Sequence, residues 1–310
     1  MAGALPGFLE AVARRPRLAA LAGAMFIAFS GIFYKFAEVT PETATVFRCV
    51  YGLPILALVG WWEHRRYGAL PSRAVWLAVI AGVFFAADLL SWHHAVDAVG
   101  AGLATVLGNL QVIVVALVAW LVFGERPPRS VLIGLPIVLG GVVLISGVIG
   151  SDAYGVDPPL GATLGLFTAL AYAGYLLIIR RGSNDLRRPA GPVAISTAST
   201  MVVAVVAGVV LGGLDPVPAW PSHGWLVAVG ITSQSIGYLI ISISLPRLPA
   251  ALVSIILLAQ PVATVIIARV LLDETPSVAQ LLGVGLVIAG IAVATVPVGR
   301  IRDRAKVPAT

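Results

Sequence analysis

Residues 76–125 read WLAVIAGVFFAADLLSWHHAVDAVGAGLATVLGNLQVIVVALVAWLVFGE, and residues 225–274 read WLVAVGITSQSIGYLIISISLPRLPAALVSIILLAQPVATVIIARVLLDE. Laid over each other at a constant offset of 149, the two stretches need no gap. Trp76 meets Trp225, Ala101 meets Ala250, Leu103 meets Leu252, Gln111 meets Gln260, Ala119 meets Ala268 and Glu125 meets Glu274. The register continues through Pro127 and Pro276, Gly134 and Gly283, Gly141 and Gly290. Most other positions agree only in being apolar. One unit is written twice.

The material of that unit decides its solvent. The chain is 59% hydrophobic and 11% charged, whereas a soluble domain carries roughly 25% charged residues. Ten apolar windows follow one another, near 18–37, 43–62, 74–95, 99–123, 129–149, 159–181, 190–212, 222–245, 249–271 and 277–297. Each is about long enough to cross some 30 Å of hydrocarbon. Breaks fall at Thr40-Pro41-Glu42, Tyr67-Gly68, Asp97, Glu125-Arg126-Pro127-Pro128, Arg187-Arg188-Pro189 and Asp273 to Pro276. Lipid leaves unpaired backbone groups unsatisfied, and barrel-type alternation is absent, so the windows read as helices. The fold class expected is an all-α membrane protein of ten transmembrane helices.

Charge assigns the sides. Arg14, Arg15, Arg17, Arg65, Arg66, Arg73, Arg126, Arg129, Arg180, Arg181, Arg187, Arg188, Arg247, Arg300, Arg302, Arg304 and Lys306 fall at one set of helix ends. Only Lys35, Arg48 and Arg269 lie toward the other. The positive-inside rule puts the crowded set, and both termini, in the cytoplasm. The net charge of +6 then reflects topology, with no call for nucleic acid. The basic residues before Leu18 run straight into a full-length span, which is not the pattern of a cleaved signal peptide.

Five helices per copy is an odd number, so the second copy enters the membrane from the opposite face. The expected organisation is a basic N-terminus (1–17), a first repeat (18–150), an inverted second repeat (158–297) and a basic tail (298–310). Inverted repeats are the architecture of alternating-access carriers with a site near the bilayer midplane. Cys49 is the one thiol and falls in a span, so disulfides are excluded.

These features resemble the drug/metabolite transporter superfamily, EamA type. The resemblance rests on the duplicated five-span unit and on Glu125 with Pro127 and Glu274 with Pro276. It also rests on the glycine-rich fifth and tenth spans and on a small-residue signature, Ala28-Phe29-Ser30-Gly31 and Ala171-Tyr172-Ala173-Gly174. It covers about residues 18–297. Phe29 and Tyr172 stand where the family commonly has tryptophan. Within the family the chain is most similar to bacterial amino-acid exporters. The resemblance implies export of amino acids or related metabolites across the cytoplasmic (inner) membrane, through a cavity lined mainly by the first, third, fourth, sixth, eighth and ninth spans.

Candidate site residues follow from polarity at membrane depth. Asp88 lies mid-way along the third span, where an ionised carboxylate costs roughly 2.5–3.5 kcal/mol on insertion scales. It reads as a site for a substrate ammonium group, as a proton-coupling group, or as a hydrogen-bonded packing acid. Phe85, Ser91 and Trp92 share its face at helical spacing, either as ligand contacts or as core. His93 is a titratable neighbour. In the eighth span Gln234, Ser235 and Tyr238 supply hydrogen-bonding groups to a cavity or to neighbouring helices.

Gln111 and Gln260 are repeat mates, suited to a shared site or to a structural amide link. Gln260-Pro261 adds a freed carbonyl near Leu257. Tyr172 and Tyr175, with Phe29 and Tyr34, would complete an aromatic cavity. Lys35 and Arg48, toward the outer ends of the first two spans, could form gating ion pairs or snorkel to the interface. The glycines of the fifth and tenth spans let backbones approach, to join the halves or to support a homodimer.

No phosphate-cradling loop, no metal-spaced His and acid set and no nucleophile with a base is encoded, so no cofactor or metal is expected. An intramembrane enzyme using Asp88 and His93 is the alternative of a different class, and a purine, sugar or cationic drug is the alternative substrate.

Overall fold

The computed structural model describes residues 14–123, 129–149, 152–182, 185, 187–244, 247–248, 256–257 and 259–295. Glu125 with Pro127, Ala250, residues 1–13 of the N-terminus and the tail 298–310 lie outside the described residues. Among those described, the regular structure is entirely helical. In chain order the helices are α1 (Pro16–Ala28), α2 (Ser30–Ala37), α3 (Pro41–Tyr67), α4 (Ser72–Val99), α5 (Ala101–Gly108), α6 (Gln111–Phe123) and α7 (Arg129–Ile145). They continue as α8 (Pro158–Gly182), α9 (Ala190–Leu211), α10 (Ser222–Ala228), a π-helical stretch (Val229–Gly237), α11 (Tyr238–Ser244), α12 (Ala259–Leu271) and α13 (Val278–Thr295).

Six runs are long and apolar enough to cross a membrane: Pro16–Ala37, Pro41–Tyr67, Ser72–Val99, Pro158–Ile179, Ala190–Leu211 and Ser222–Ser244. Four shorter apolar helices accompany them, at Ala101–Val115, Arg129–Ile145, Ala259–Leu271 and Val278–Ala294. The protein is a multi-pass membrane protein.

Local chemistry explains where the helices start, stop and break. Thr40 caps α3 by accepting from the Thr43 amide at 3.3 Å, with Pro41 at the first helical position, where its missing N–H costs nothing. The helix stops at Gly68, φ +81°. α4 runs past Asp97, which the sequence marks as a break, to Val99; Gly100, at φ +89°, turns the corner into α5. The expected fourth span is split at Asn109-Leu110. There the Leu110 amide reaches back to Leu107 O at 3.0 Å and Ile113 to Leu110 O at 2.9 Å, a tightened three-residue turn. The expected first span is likewise split at Phe29, and the Thr264 hydroxyl donates at 3.1 Å to Ala28 O beside the break.

The halves interlock reciprocally. A Cβ on Gly141 would stand 2.7 Å from Gly283 O, and one on Gly283 would stand 2.7 Å from Gly141 O. Gly134 meets Gly290 in the same way, so α7 and α13 cross antiparallel at backbone distance. α3 and α9 are also antiparallel, with Gly60 against Gly191 and Glu42 against Gly208. Exchanging the copies maps the remaining contacts onto one another. α4 packs on α9 as α3 packs on the π-helical stretch, α6 packs on α8 as α12 packs on α1, and α4 packs on α8 as α1 packs on α11.

Two acids staple one half to the other. Glu63, at the end of α3, accepts from the Ala190 and Gly191 amides at 2.9 and 2.8 Å. Glu274, before α13, accepts from the Ala101 and Gly102 amides at 2.5 and 3.0 Å. Each satisfies the orphan N–H groups that open a helix of the opposite copy.

Candidate functional site: a buried charge pair beside an aromatic box

The second and eighth stretches of the chain meet through glycine. A Cβ on Gly52 would lie 2.7 Å from Gln234 Cγ, and one on Gly230 would lie 2.6 Å from Tyr51 Cβ. That closeness brings Arg48 of α3 onto the π-helical stretch. Arg48 is 2% exposed. Its Nε donates to Gln234 Oε1 at 2.8 Å, Nη1 to Ser30 Oγ at 2.8 Å and Nη2 to Ser233 Oγ at 3.3 Å. All three acceptors are neutral. Gln234 is fully buried and its Nε2 donates to Thr197 Oγ1 of α9 at 3.0 Å.

The π winding places these groups. Ser235 Oγ donates to Gly230 O, five residues back, at 2.8 Å and to Gly52 O at 2.9 Å. Ser233, Gln234 and Ser235 are buried in succession along this stretch. Such π segments occur frequently at functional sites.

Asp88 of α4 is 6% exposed. No ion pair joins it to Arg48, and no described residue hydrogen-bonds the Asp88 carboxylate; only its backbone oxygen accepts, from Thr168. Beside it stands an aromatic box. Phe85 stacks on Tyr175 at 4.6 Å between centroids and meets Tyr238 edge-on at 5.3 Å and Tyr172 at 6.3 Å; Tyr172 and Tyr175 stack at 5.6 Å. The interior thus holds a guanidinium on neutral partners, a buried carboxyl group and packed aromatic rings.

The sequence of this chain matches the model of the EamA-like transporter family twice, over residues 15–147 and 159–296. The chain belongs to the EamA-like transporter family. An uncharacterized protein of Pseudomonas aeruginosa is 30% identical over 233 residues, covering 74% of this chain and 75% of that protein. An uncharacterized transporter of Synechocystis is 25% identical over 286 residues, covering 84% of this chain and 83% of that one. A solved crystal structure superposes with a TM-score of 0.61 at 19% identity, covering 91% of this chain and 98% of the other, which shows a shared fold.

Within this EamA-like fold, the residues singled out in the sequence separate into two groups. Asp88, Phe85, Tyr172, Tyr175, Tyr238 and Gln234 converge. Ser235 and Ser91 spend their hydroxyls on backbone, the latter on Ala87 O at 2.7 Å. Trp92 packs against Gly31 and Gly108 and the ring of His93. Phe29 stacks on Phe33, which stacks on Trp225. Gln111 is buried with Oε1 unpartnered, and Gln260 is half-buried. No hydrogen bond links these two repeat mates among the described residues.

Arg48, read in the sequence toward an outer end, is buried on neutral groups. It sits inside, because the Gly52 and Gly230 contact draws its helix against the π stretch. Lys35 does pair, with Asp97 at 3.5 Å, both side chains well exposed. Tyr34 donates to the same Asp97 at 2.7 Å, and its ring lies 4.5 Å from His93. His93 is fully buried, with Nδ1 2.9 Å from Thr45 Oγ1 and Nε2 unpartnered. His94 bonds Glu42 at 3.1 Å.

Three participants escaped the sequence reading: Ser233, Thr197 and the staple Glu63. Thr197 was findable, since it lies at the repeat offset of 149 from Arg48. The glycines of α7 and α13 are used between the two halves: Gly134, Gly141, Gly283 and Gly290 are all in backbone contact there. Outside the spans, burial pushes the Glu274 carboxyl up despite the amides of Gly102 and Ala101. Asp185 is held well below the usual carboxylate range by its hydrogen bond from Arg187.

Proposed function

We propose that this chain is an alternating-access carrier exporting amino acids, aromatic or small and neutral, or closely related metabolites across a bacterial cytoplasmic membrane. In this reading ten spans form two inverted repeats, 18–150 and 158–297, with both basic termini in the cytoplasm. The observation that carries it is the reciprocal packing of the halves, Gly134 on Gly290 and Gly141 on Gly283, around an interior holding Arg48 and Asp88. Two antiparallel copies exchange places when they rock, so one central site opens to each side in turn. Family membership supports transport of small solutes. The presence of both charge signs beside aromatic faces favours an amino acid over a purine or sugar, which would not use both charges, and over a cationic drug, which would leave Arg48 unused.

Purified protein in sealed proteoliposomes should take up radiolabelled phenylalanine, tyrosine, alanine or serine, with saturation and exchange for internal unlabelled substrate. Solute turnover by detergent-solubilised protein, without vesicles, would instead support the intramembrane enzyme. Saturable uptake of only purines, sugars or drugs would overturn the amino-acid assignment and leave the carrier standing. Labelling that puts the two termini on opposite sides would remove the inverted-repeat reading.

A further inference from the structure

A cavity of about 350 Å³ lies between α3 and α9 at the basic ends of these helices. Small residues make it. A Cβ on Gly60 would stand 3.4 Å from Gly191 Cα, and Ala57 and Ala194 leave the flank of that crossing unfilled. Its polarity is graded along the helix axes. From Ala57 to His64 α3 descends about 10 Å, and α9 runs antiparallel to it, so Ala194 and Ile195 lie at the Ala57 end while Arg188 and His64 lie at the mouth. The deep end is aliphatic and the mouth carries side-chain nitrogens.

Neighbouring rings mark the depth of that mouth. Arg65 lies over Trp61 at 5.1 Å, Arg66 over Trp62 at 5.8 Å and Arg187 over Tyr67 at 5.4 Å. Tryptophan and tyrosine gather where hydrocarbon meets lipid headgroups, so the mouth opens at headgroup level. Leu58 and Trp61 are exposed beside it, which turns the opening toward lipid. Glu63 is the one carboxylate among the described lining residues, and both its oxygens accept amides, those of Ala190 and Gly191. Arg188 gives Nε to Asp185 at 3.0 Å and Nη1 to Gly68 O and Ala69 O at 3.2 and 3.0 Å; its Nη2 bonds to no described residue. The acids at the mouth are thus occupied, and one edge of the guanidinium is not.

We propose that this cavity holds one anionic phospholipid of the leaflet bordering the basic helix ends. Its phosphate lies on Arg188 and His64, and an acyl chain runs between α3 and α9 toward Ala57 and Ala194. Basic pockets between membrane helices take anionic headgroups in this way. A soluble anion would make no use of the aliphatic end, and a zwitterionic lipid would bring its own cation to a mouth ringed by arginines. Because α3 belongs to one copy of the repeat and α9 to the other, the bound lipid joins the two halves where Glu63 also ties them.

The test titrates the full-length protein in detergent with phosphatidylglycerol and with phosphatidylcholine of identical acyl chains, counting retained lipid by native mass spectrometry. Wild type should retain one phosphatidylglycerol about 5-fold or more tightly than phosphatidylcholine, the worth of one arginine near a charged headgroup. Arg188→Gln should bring phosphatidylglycerol down to the phosphatidylcholine level. The double variant Ala57→Leu with Ala194→Leu fills the deep end and leaves every charge in place, so it keeps the proposal testable should Arg188→Gln fail to fold. It should lose the retained lipid. Equal retention of the two lipids by wild type would mean an unselective lipid shell and would overturn the assignment. So would a phosphatidylglycerol that survives the alanine substitutions undiminished, because it would be bound elsewhere. Displacement of the lipid by millimolar glycerol 3-phosphate would show that the mouth takes a free anion, and would overturn it too.

Discussion

At the crossing of α7 and α13 the two copies of the repeat keep the same residues, and in the interior they differ. At the shared offset of 149, Gly134 and Gly141 are answered by Gly283 and Gly290, but Arg48 is answered by Thr197, Phe85 by Gln234 and Asp88 by Gly237. The glycines must match because each contacts the mate of the other: Gly134 meets Gly290 and Gly141 meets Gly283. A side chain on either helix blocks the same crossing. No such reciprocity binds the interior positions. Arg48 and Asp88 both come from the first copy, and the second supplies Ser233 and Gln234, which with Ser30 hold Arg48. A symmetric frame thus encloses an asymmetric centre.

The largest effect is expected at the shared crossing. Gly141→Leu would drive a side chain into Gly283 O and Val287, where even a Cβ comes within 2.8 Å of the valine Cγ2. Overpacking of this kind costs about 1–3 kcal/mol or more. Gly140, whose Cβ would meet nothing within 4 Å, should accept leucine with little change. Thermal unfolding in detergent compares the two, and equal melting temperatures would break the claim that reciprocity preserves these glycines.

A smaller effect, confined to function, is expected at the centre. Gln234→Glu would put a carboxylate 2.8 Å from Arg48 Nε, supplying from the second copy the counter-charge that the first copy withholds. Uptake should fall about 10-fold or more while the melting temperature holds, because the internal pair replaces the ligand carboxylate at the guanidinium. Unchanged initial rates of phenylalanine uptake would show that Arg48 does not face the ligand.

Much of this arrangement was legible from residue order alone. The offset of 149 and the apolar windows give the duplicated helical frame, and the spacing of Phe85, Asp88, Tyr172, Tyr175 and Tyr238 gives most of the interior. The neutral partners of Arg48 were not legible, because its surroundings are set by the Gly52 and Gly230 contact with another helix. Ser233 and Gln234 could not be oriented because the π-helical stretch Val229–Gly237 abandons the 3.6-residue period on which face assignment depends. The splits at Phe29 and Asn109 are invisible to hydropathy, which sees apolar residues on both sides. Tertiary contact and backbone winding, not composition, decide these details.

The acid staples extend the comparison to the helix ends. Glu63→Ala removes a first-copy cap from α9, and Glu274→Ala removes a second-copy cap from α5. Each should cost about 1 kcal/mol, the usual worth of a helix cap. Because they tie separate ends of the molecule, the double variant should lose the sum within about 0.5 kcal/mol. Denaturation of the single and double variants in one detergent checks this. A strongly non-additive double would mean that the two staples belong to one coupled unit.

The smallest effect concerns the loop before α9, whose acid, Asp185, falls on Phe36 of the other copy at the offset of 149. Asp185 accepts from Arg187 Nε at 2.9 Å and from Arg188 Nε at 3.0 Å, and Arg188 reaches Gly68 O and Ala69 O beyond the end of α3. The Arg187 hydrogen bond lowers the carboxyl below its ordinary range. A depressed acid contributes its stabilisation in full above the unfolded aspartate value of about 3.9 and loses it as pH falls below that toward the folded value. Backbone amide exchange at residues 68–70 and 187–190, corrected for intrinsic rates, should therefore rise on acidification below about pH 4 in wild type. In Asp185→Asn the corrected exchange should be faster at neutral pH and flat across that window, because the variant has no proton to gain there. A wild-type profile just as flat would mean that the Asp185 cluster is solvated at no gain, as exposed ion pairs commonly are.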